Sequence, residues 1–215
     1  MGLAIAALVI YTACRSAGNP AAPTAAIEIN AVPWGTVKSV ASTNGRVTFA
    51  VNSQTPLRVK VPPGSYDIVI FGPKGQEQTP TVMATDGMPG RCAPVFEAID
   101  GKQIIAALPA QPVGADTDAE LVDGLGAYYQ GNFELAESSL RHYLEGNAQR
   151  RGLAQFYLGA TMITRYSLAD GEGGTQSLRA ESQHAFRLAR QEQNFAPPDR
   201  YISPKIIAAY ENTPR

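Results

Sequence analysis

Pro33-Trp34-Gly35, Thr55-Pro56-Leu57 and Pro62-Pro63-Gly64-Ser65-Tyr66 follow one another within forty-odd residues and decide how the first half of the chain folds. Each is a turn signal, and between them apolar and polar residues alternate. Ile27, Ile29 and Ala31 alternate with Glu28 and Asn30, and Val47, Phe49 and Val51 with Thr48 and Ala50. Leu57, Val59 and Val61 alternate with Arg58 and Lys60, and Tyr66, Ile68 and Ile70 with Asp67 and Val69. A period of two places one face on a core and the other on solvent, which is the pattern of half-buried antiparallel strands. Asn44-Gly45 marks a hairpin, since both positions tolerate positive φ. A weaker strand covers Thr79 to Ala84. Five or six short strands with turns at this spacing predict a small antiparallel β-sandwich.

The order of the steps, strand-Pro-x-Gly-strand, then Thr-Pro-Leu, then Pro-Gly-x-Tyr, resembles a PEGA domain, a β-sandwich of bacterial envelope proteins. The match runs from about Ile27 to Val82. Trp34 stands where that pattern has Glu, and the Ser42 to Gln54 stretch replaces its shorter Asp-Gly segment. The steps also have a direct physical reading. Thr-Pro starts a strand where the ring nitrogen has no proton for the ladder, and Pro-Gly makes the tight turn that delivers Tyr66 into the next strand. Asp86 to Ala110 is broken by Gly87, Pro89, Gly90 and Pro94, with a last strand at Val95-Phe96-Glu97 and a short helix at Ile104-Ile105-Ala106 as the candidate elements.

Pro109 to Ala115 reads as a linker, and beyond it the period becomes 3.6. Thr117-x-x-Glu120 is a capping-box signature. Leu121, Val122, Leu125 and Tyr129 then make one helical face, ended by Gly131-Asn132. Leu135, Ala136, Leu140, Tyr143 and Leu144 make a second, ended by Gly146-Asn147. Leu153, Phe156, Tyr157, Ala160 and Ile163 make a third. Leu178, Ala185, Phe186 and Ala189 make a fourth, after a Gly-rich loop from Ala169 to Thr175. Ser203-Pro204 is an N-cap and first-turn pair opening a last helix through Ile206, Ile207 and Tyr210. Two such hairpins resemble tetratricopeptide repeats. Gly124, Gly131, Phe133, Ala136 and Leu140 fall on the small and large positions of one repeat, and Leu158, Gly159, Ser182, Phe186 and Ala189 on those of a second. The usual Trp and closing Pro are absent. Phe195 to Tyr210 reads as a cap on the open end of the stack. The expected fold is therefore α+β in two domains: a PEGA-like sandwich over 26–108, a linker at 109–116, and an all-α helical-hairpin domain over 117–215.

Leu3 to Tyr11 is an apolar run too short to span a bilayer as a helix. It matches the core of a secretory signal, and Thr12-Ala13-Cys14 resembles a bacterial lipoprotein cleavage site, which implies lipidation of Cys14. Tyr11 departs from that pattern, and no Lys or Arg precedes the run, so a plain signal peptide or an uncleaved anchor stays open. Residues 1–14 form this segment, and 15–25, rich in Ala, Pro and Ser, a tether. With Cys14 lipidated, Cys92 has no cysteine partner and reads as a small buried hydrophobe or a reactive thiol; otherwise a Cys14–Cys92 bridge is open. A formal net charge of -1 and scattered basic residues argue against nucleic acid.

Chemistry-bearing motifs are sparse. His142 and His184 each have one carboxylate a turn away, Glu145 and Glu181, and no His-x-x-x-His or Cys-x-x-Cys occurs. Glu181-x-x-His184 is half of a carboxylate metal site without its other half. The chain has no Gly-x-Ser-x-Gly elbow or phosphate loop, and Glu134 and Glu137 read as solvent-facing. No enzyme, cofactor or metal is expected. Trp34 either packs over the end of the sandwich or offers its ring to a glycan or protein. Tyr128, Tyr129 and Tyr157 read mostly as core, with partner binding open to any that lines a groove. The resemblances imply an exported, membrane-anchored envelope protein that acts as a scaffold for other envelope proteins or peptides. The alternative is a carbohydrate- or peptidoglycan-binding module using the loops around Trp34.

Overall fold

The computed structural model describes residues 25–107, 118–146, 148–169, 175–193 and 195–214. The apolar leader with Cys14, the tether through 24, the linker 109–116, Thr117, Asn147 and the loop centre 170–174 lie outside the described residues. Strands fill the N-terminal half and helices the C-terminal half, an arrangement compatible with two domains.

The strands are β1 (Ala25–Ile29), β2 (Thr36–Ser42), β3 (Thr48–Gln54), β4 (Leu57–Val61), β5 (Gly64–Phe71), β6 (Glu77–Gln78), β7 (Thr81–Ala84) and β8 (Gly90–Cys92). One sheet has the order β4-β1-β8. The other runs β3-β2-β5, with β6 and β7 along the far edge of β5. Ala25, read as the end of the tether, is the first residue of β1 and faces Val61. The expectation of purely antiparallel sheets needs correction at β8, which runs parallel to β1 with Ile27 beside Gly90 and Ile29 beside Cys92. Three residues among turn formers are too few to display an alternation. Val95 forms only a single parallel bridge, to Val32.

The three Pro-bearing turns share one role: each carries the chain from one sheet to the other. Pro33-Trp34-Gly35 joins β1 to β2, Thr55-Pro56 joins β3 to β4, and Pro62-Pro63 joins β4 to β5. A residue without an amide proton interrupts the ladder, so the chain is free to leave its sheet there. Asn44-Gly45 makes the one connection among these that stays within a sheet. Gly45 sits at φ +70°, Asn44 Oδ1 accepts from the Arg46 amide at 3.1 Å, and the Ser42 amide donates to the Val47 carbonyl at 2.8 Å.

Ile27, Ile29, Val37, Val40, Val61, Ile68 and Ile70 are wholly buried between the sheets. Tyr66 joins them, and its hydroxyl donates to the Pro62 carbonyl at 2.7 Å, which satisfies a buried phenol. No alternation marks β2, because its buried valines stand three apart. Against β5 the register jumps from Val37–Ile70 to Ser39–Val69, leaving Lys38 unpaired. That bulge returns Val40 to the same face as Val37.

The helices are α1 (Gly101–Ala106), α2 (Ala119–Tyr129), α3 (Phe133–Glu145), α4 (Arg151–Leu168), α5 (Thr175–Gln191) and α6 (Pro204–Glu211). They stack in chain order, with α4 in the middle and α6 against both α4 and α5. Ile104, assigned by sequence with the strand half, is buried among the helices instead. Leu135, expected in the core, is 49% exposed; the buried stripe of α3 is Ala136, Leu140 and Tyr143, and Leu135 lies one residue off it. Gly131 at φ +75° separates α2 from α3, and Asn132 Oδ1 caps α3 by accepting from the Leu135 amide at 3.3 Å. The capping box at α2 is corrected as far as the described residues reach. Asp118 is the N-cap without a side-chain cap bond, and its carboxylate instead takes Arg150 at 3.2 Å and the Tyr143 hydroxyl at 3.3 Å.

Candidate functional site

The two halves meet along a seam built from the β3–β4 crossing, β4, α4 and the C-terminal tail. The crossing is itself braced: the Gly35 amide donates to Thr55 Oγ1 at 3.0 Å, and the Thr55 amide to the Gly35 carbonyl at 2.9 Å. Two of the sequence's turn signals therefore face each other. Ser203 donates its hydroxyl to the Thr55 carbonyl, and Lys205 its ammonium to the Pro56 carbonyl at 2.7 Å. Ser203 occupies the N-cap position of α6 as expected, but makes no cap bond there, because its hydroxyl is spent on the sheet half. Arg58 of β4 donates from one nitrogen to Glu28 Oε1 and to the Leu168 carbonyl, both at 3.0 Å, which places a cation on the carbonyl end of α4. Val32, at the β1–β2 crossing, is buried in the helical cluster.

The tyrosines offered to a partner are corrected here. Tyr128, Tyr129 and Tyr157 pack edge to face on one another, with ring centroids 5.1 to 6.1 Å apart, and Tyr157 has no exposed surface. Tyr129 donates to the Tyr201 carbonyl at 2.9 Å, so it accepts from the Tyr157 hydroxyl at 2.8 Å. Burial pushes the Tyr128 phenol up to about 12 and those of Tyr129 and Tyr157 well above the ordinary value. These rings hold the helices to the tail and leave no face for a ligand. Trp34 is half-buried at the β1–β2 crossing.

Beside the seam lies a cleft of about 440 Å³ between β1, β8, the α2–α3 turn and the end of α4. Glu28 sits on its sheet wall between Arg58 at 3.0 Å and Arg91 at 3.4 Å. On its helical wall Phe133 lies beside Arg165, which binds Glu137 closely and Glu134 at 3.8 Å. Glu137 was expected in solvent, but it joins α3 to α4 through Arg165 and also takes Arg141 at 3.0 Å. Glu134 is exposed as expected. Cys92 lines the same cleft as a buried free thiol, and burial raises its pKa to about 11. At neutral pH it is therefore a thiol and a poor nucleophile.

Of the two histidines, His142 has acidic neighbours. His142 Nε2 lies 3.1 Å from Glu120, and Nδ1 lies 3.9 Å from Glu145. Glu181, one helical turn from His184, is held by Arg141 at 2.8 Å. Among the described residues no group of three or more His, Cys, Asp or Glu side chains gathers as a metal site would require. Arg58, Arg165 and Ser203, which build the seam and its cleft, stand out in no sequence motif for this role. Ser203 alone falls in a local motif, as the N-cap residue before Pro204. No family model, no curated protein and no solved structure matches the chain.

Proposed function

We propose that the protein is a non-catalytic, exported envelope scaffold, tethered through Cys14, in which a PEGA-like β-sandwich and a TPR-like pair of helical hairpins act as one docking platform for envelope proteins or peptides. The observation that carries this reading is one contact made twice. A Cβ on Gly124 of α2 would lie 2.9 Å from Leu140 of α3, and one on Gly159 of α4 would lie 2.5 Å from Phe186 of α5. Ala136 and Ser182 stand four residues before Leu140 and Phe186, so both hairpins use the same small-then-large spacing to close their helices. This is how repeat hairpins stack. The face that α2 and α4 would offer as a groove is turned inward, with β4 against α4 and the tyrosines buried. Docking then falls to the open cleft lined by Arg91, Glu28, Phe133 and Arg165, where an apolar ring sits among charges of both signs.

A photoreactive residue in place of Arg91, whose side chain is 83% exposed, tests the platform in the intact envelope. A discrete adduct with an envelope protein is expected there and not from a control at Thr48. Identical adducts at both positions, or none, would refute the reading. Labelling by radioactive palmitate, lost in Cys14→Ala, tests the anchor. A second reading, cell-wall polysaccharide binding, draws on Trp34, which is only half-buried. Equal retention of wild type and Trp34→Ala on purified cell wall would remove it.

A further inference from the structure

We propose that a second cleft, between the end of α4, the start of α5 and α6, binds an acidic segment of a protein partner, seating one carboxylate beside an apolar side chain. The cleft has a volume of about 550 Å³, and among the described residues its wall carries Arg179 and Lys205 but no Asp or Glu. Ile163, Ile206 and the Tyr166 ring supply apolar surface, and Ser167 a hydroxyl.

Two cations line this cleft, Arg179 from α5 and Lys205 from α6. The Lys205 ammonium is held at 2.7 Å by the Pro56 carbonyl, a neutral partner. It forms no ion pair with a carboxylate among the described residues, and neither does Arg179. Burial lowers the Lys205 pKa, as expected for an ammonium that has lost water without gaining an anion. A partly desolvated cation is costly unless paired, so the site favours an incoming negative charge. One ammonium proton is used on Pro56, leaving two donors, and the Arg179 fork matches a carboxylate in two-point geometry. The ligand is an acidic peptide in preference to a lipid surface. Anionic membranes are read by clusters of four to eight cations, whereas this cleft has two and the chain carries a formal net charge of -1. The adjoining apolar wall fits a residue such as Leu or Val next to the acid.

The inference rests on the scaffold reading for its class of partner, but its test does not. The probe is a fluorescein-labelled peptide of alternating Leu and Glu, measured by anisotropy with the full chain in neutral detergent; the control replaces each Glu by Gln. The Glu peptide is expected to bind about tenfold more tightly, the ratio one charge-assisted hydrogen bond supplies. Arg179→Gln should weaken it by about fivefold or more on the same grounds, with the unfolding midpoint unchanged because Arg179 is exposed. Lys205→Gln should weaken it too, but it also touches the seam, so Arg179→Gln is the deciding variant. Equal binding of the two peptides, or full binding by Arg179→Gln, overturns the proposal. So does binding of phosphatidylglycerol vesicles, lost in Arg179→Gln, without binding of the peptide. Should the peptide fail while the crosslinker at position 91 still captures its envelope protein, this cleft is removed and the scaffold reading stands.

Discussion

Two glycine-to-alanine substitutions, chemically identical and both inside helices, should move stability in opposite directions. Gly126 in α2 has nothing within 4 Å of where a Cβ would stand, so Gly126→Ala adds helix propensity at no steric cost. That gain is about 1 kcal/mol. At Gly159 the same methyl would meet the Phe186 ring at 2.5 and 2.6 Å. The ring has little room to retreat, for Phe186 is wholly enclosed, with Phe156 at 5.7 Å and Tyr210 at 5.6 Å between centroids. Overpacking of a tight core costs about 1–3 kcal/mol, and a contact this short against a braced ring belongs at the upper end. Subtracting the propensity gain leaves Gly159→Ala less stable than wild type by roughly 2 kcal/mol, and about 3 kcal/mol below Gly126→Ala. Urea unfolding followed by far-ultraviolet dichroism gives the order directly, and a common slope licenses the comparison. If Gly159→Ala proves as stable as Gly126→Ala, α4 and α5 do not meet at Gly159, and the equivalence of the two hairpins fails with that contact.

Ser203→Ala strips the buried Thr55 carbonyl of its cross-seam donor and should cost about 1–3 kcal/mol in the same assay. Tyr129→Phe interrupts the relay from Tyr157 to the Tyr201 carbonyl and should cost a similar ~1–3 kcal/mol, with the loss concentrated in hydrogen-exchange protection of the tail. Cys92 has its pKa raised to about 11 in the folded chain from an ordinary value of 9.0, so the folded state holds the proton more tightly. The stability this contributes is complete below the unfolded value and is lost as pH rises from about 9 to about 11; Tyr128, raised to about 12 from 10.0, extends the decline upward. The urea midpoint should therefore fall above pH 9, and iodoacetamide should label Cys92 far faster in urea than in buffer at pH 8. Equal labelling rates in urea and buffer would contradict its burial.

The parts of the fold legible in sequence are those whose cause is local. The alternation in β1, β4 and β5 and the Asn44-Gly45 hairpin appear where sequence reading places them. So do the breaks at Gly131-Asn132 and Gly146, because φ/ψ preference and burial period act over a few residues. β2 shows no alternation because its bulge breaks the period, and β8 goes unseen because three residues carry none. Leu135 shows the limit from the other side: apolar character suggested core, but only the packing of α3 against its neighbours decides which stripe is buried. Of the candidate site residues, Trp34 is half-buried, while Tyr128, Tyr129 and Tyr157 are buried among the helices.

Periodicity and turn chemistry by themselves determined that strands come first and helices second, and where the chain turns between strands. Tertiary structure alone decided how the halves dock, which tyrosines are buried, and which cations are left facing open clefts. The reason is separation. Ser203 and Thr55 are 148 residues apart, Lys205 and Pro56 149, and Leu168 and Arg58 110. A pairing between such distant residues leaves no period or motif in either segment; it exists only once each half has folded and presents its carbonyls to the other.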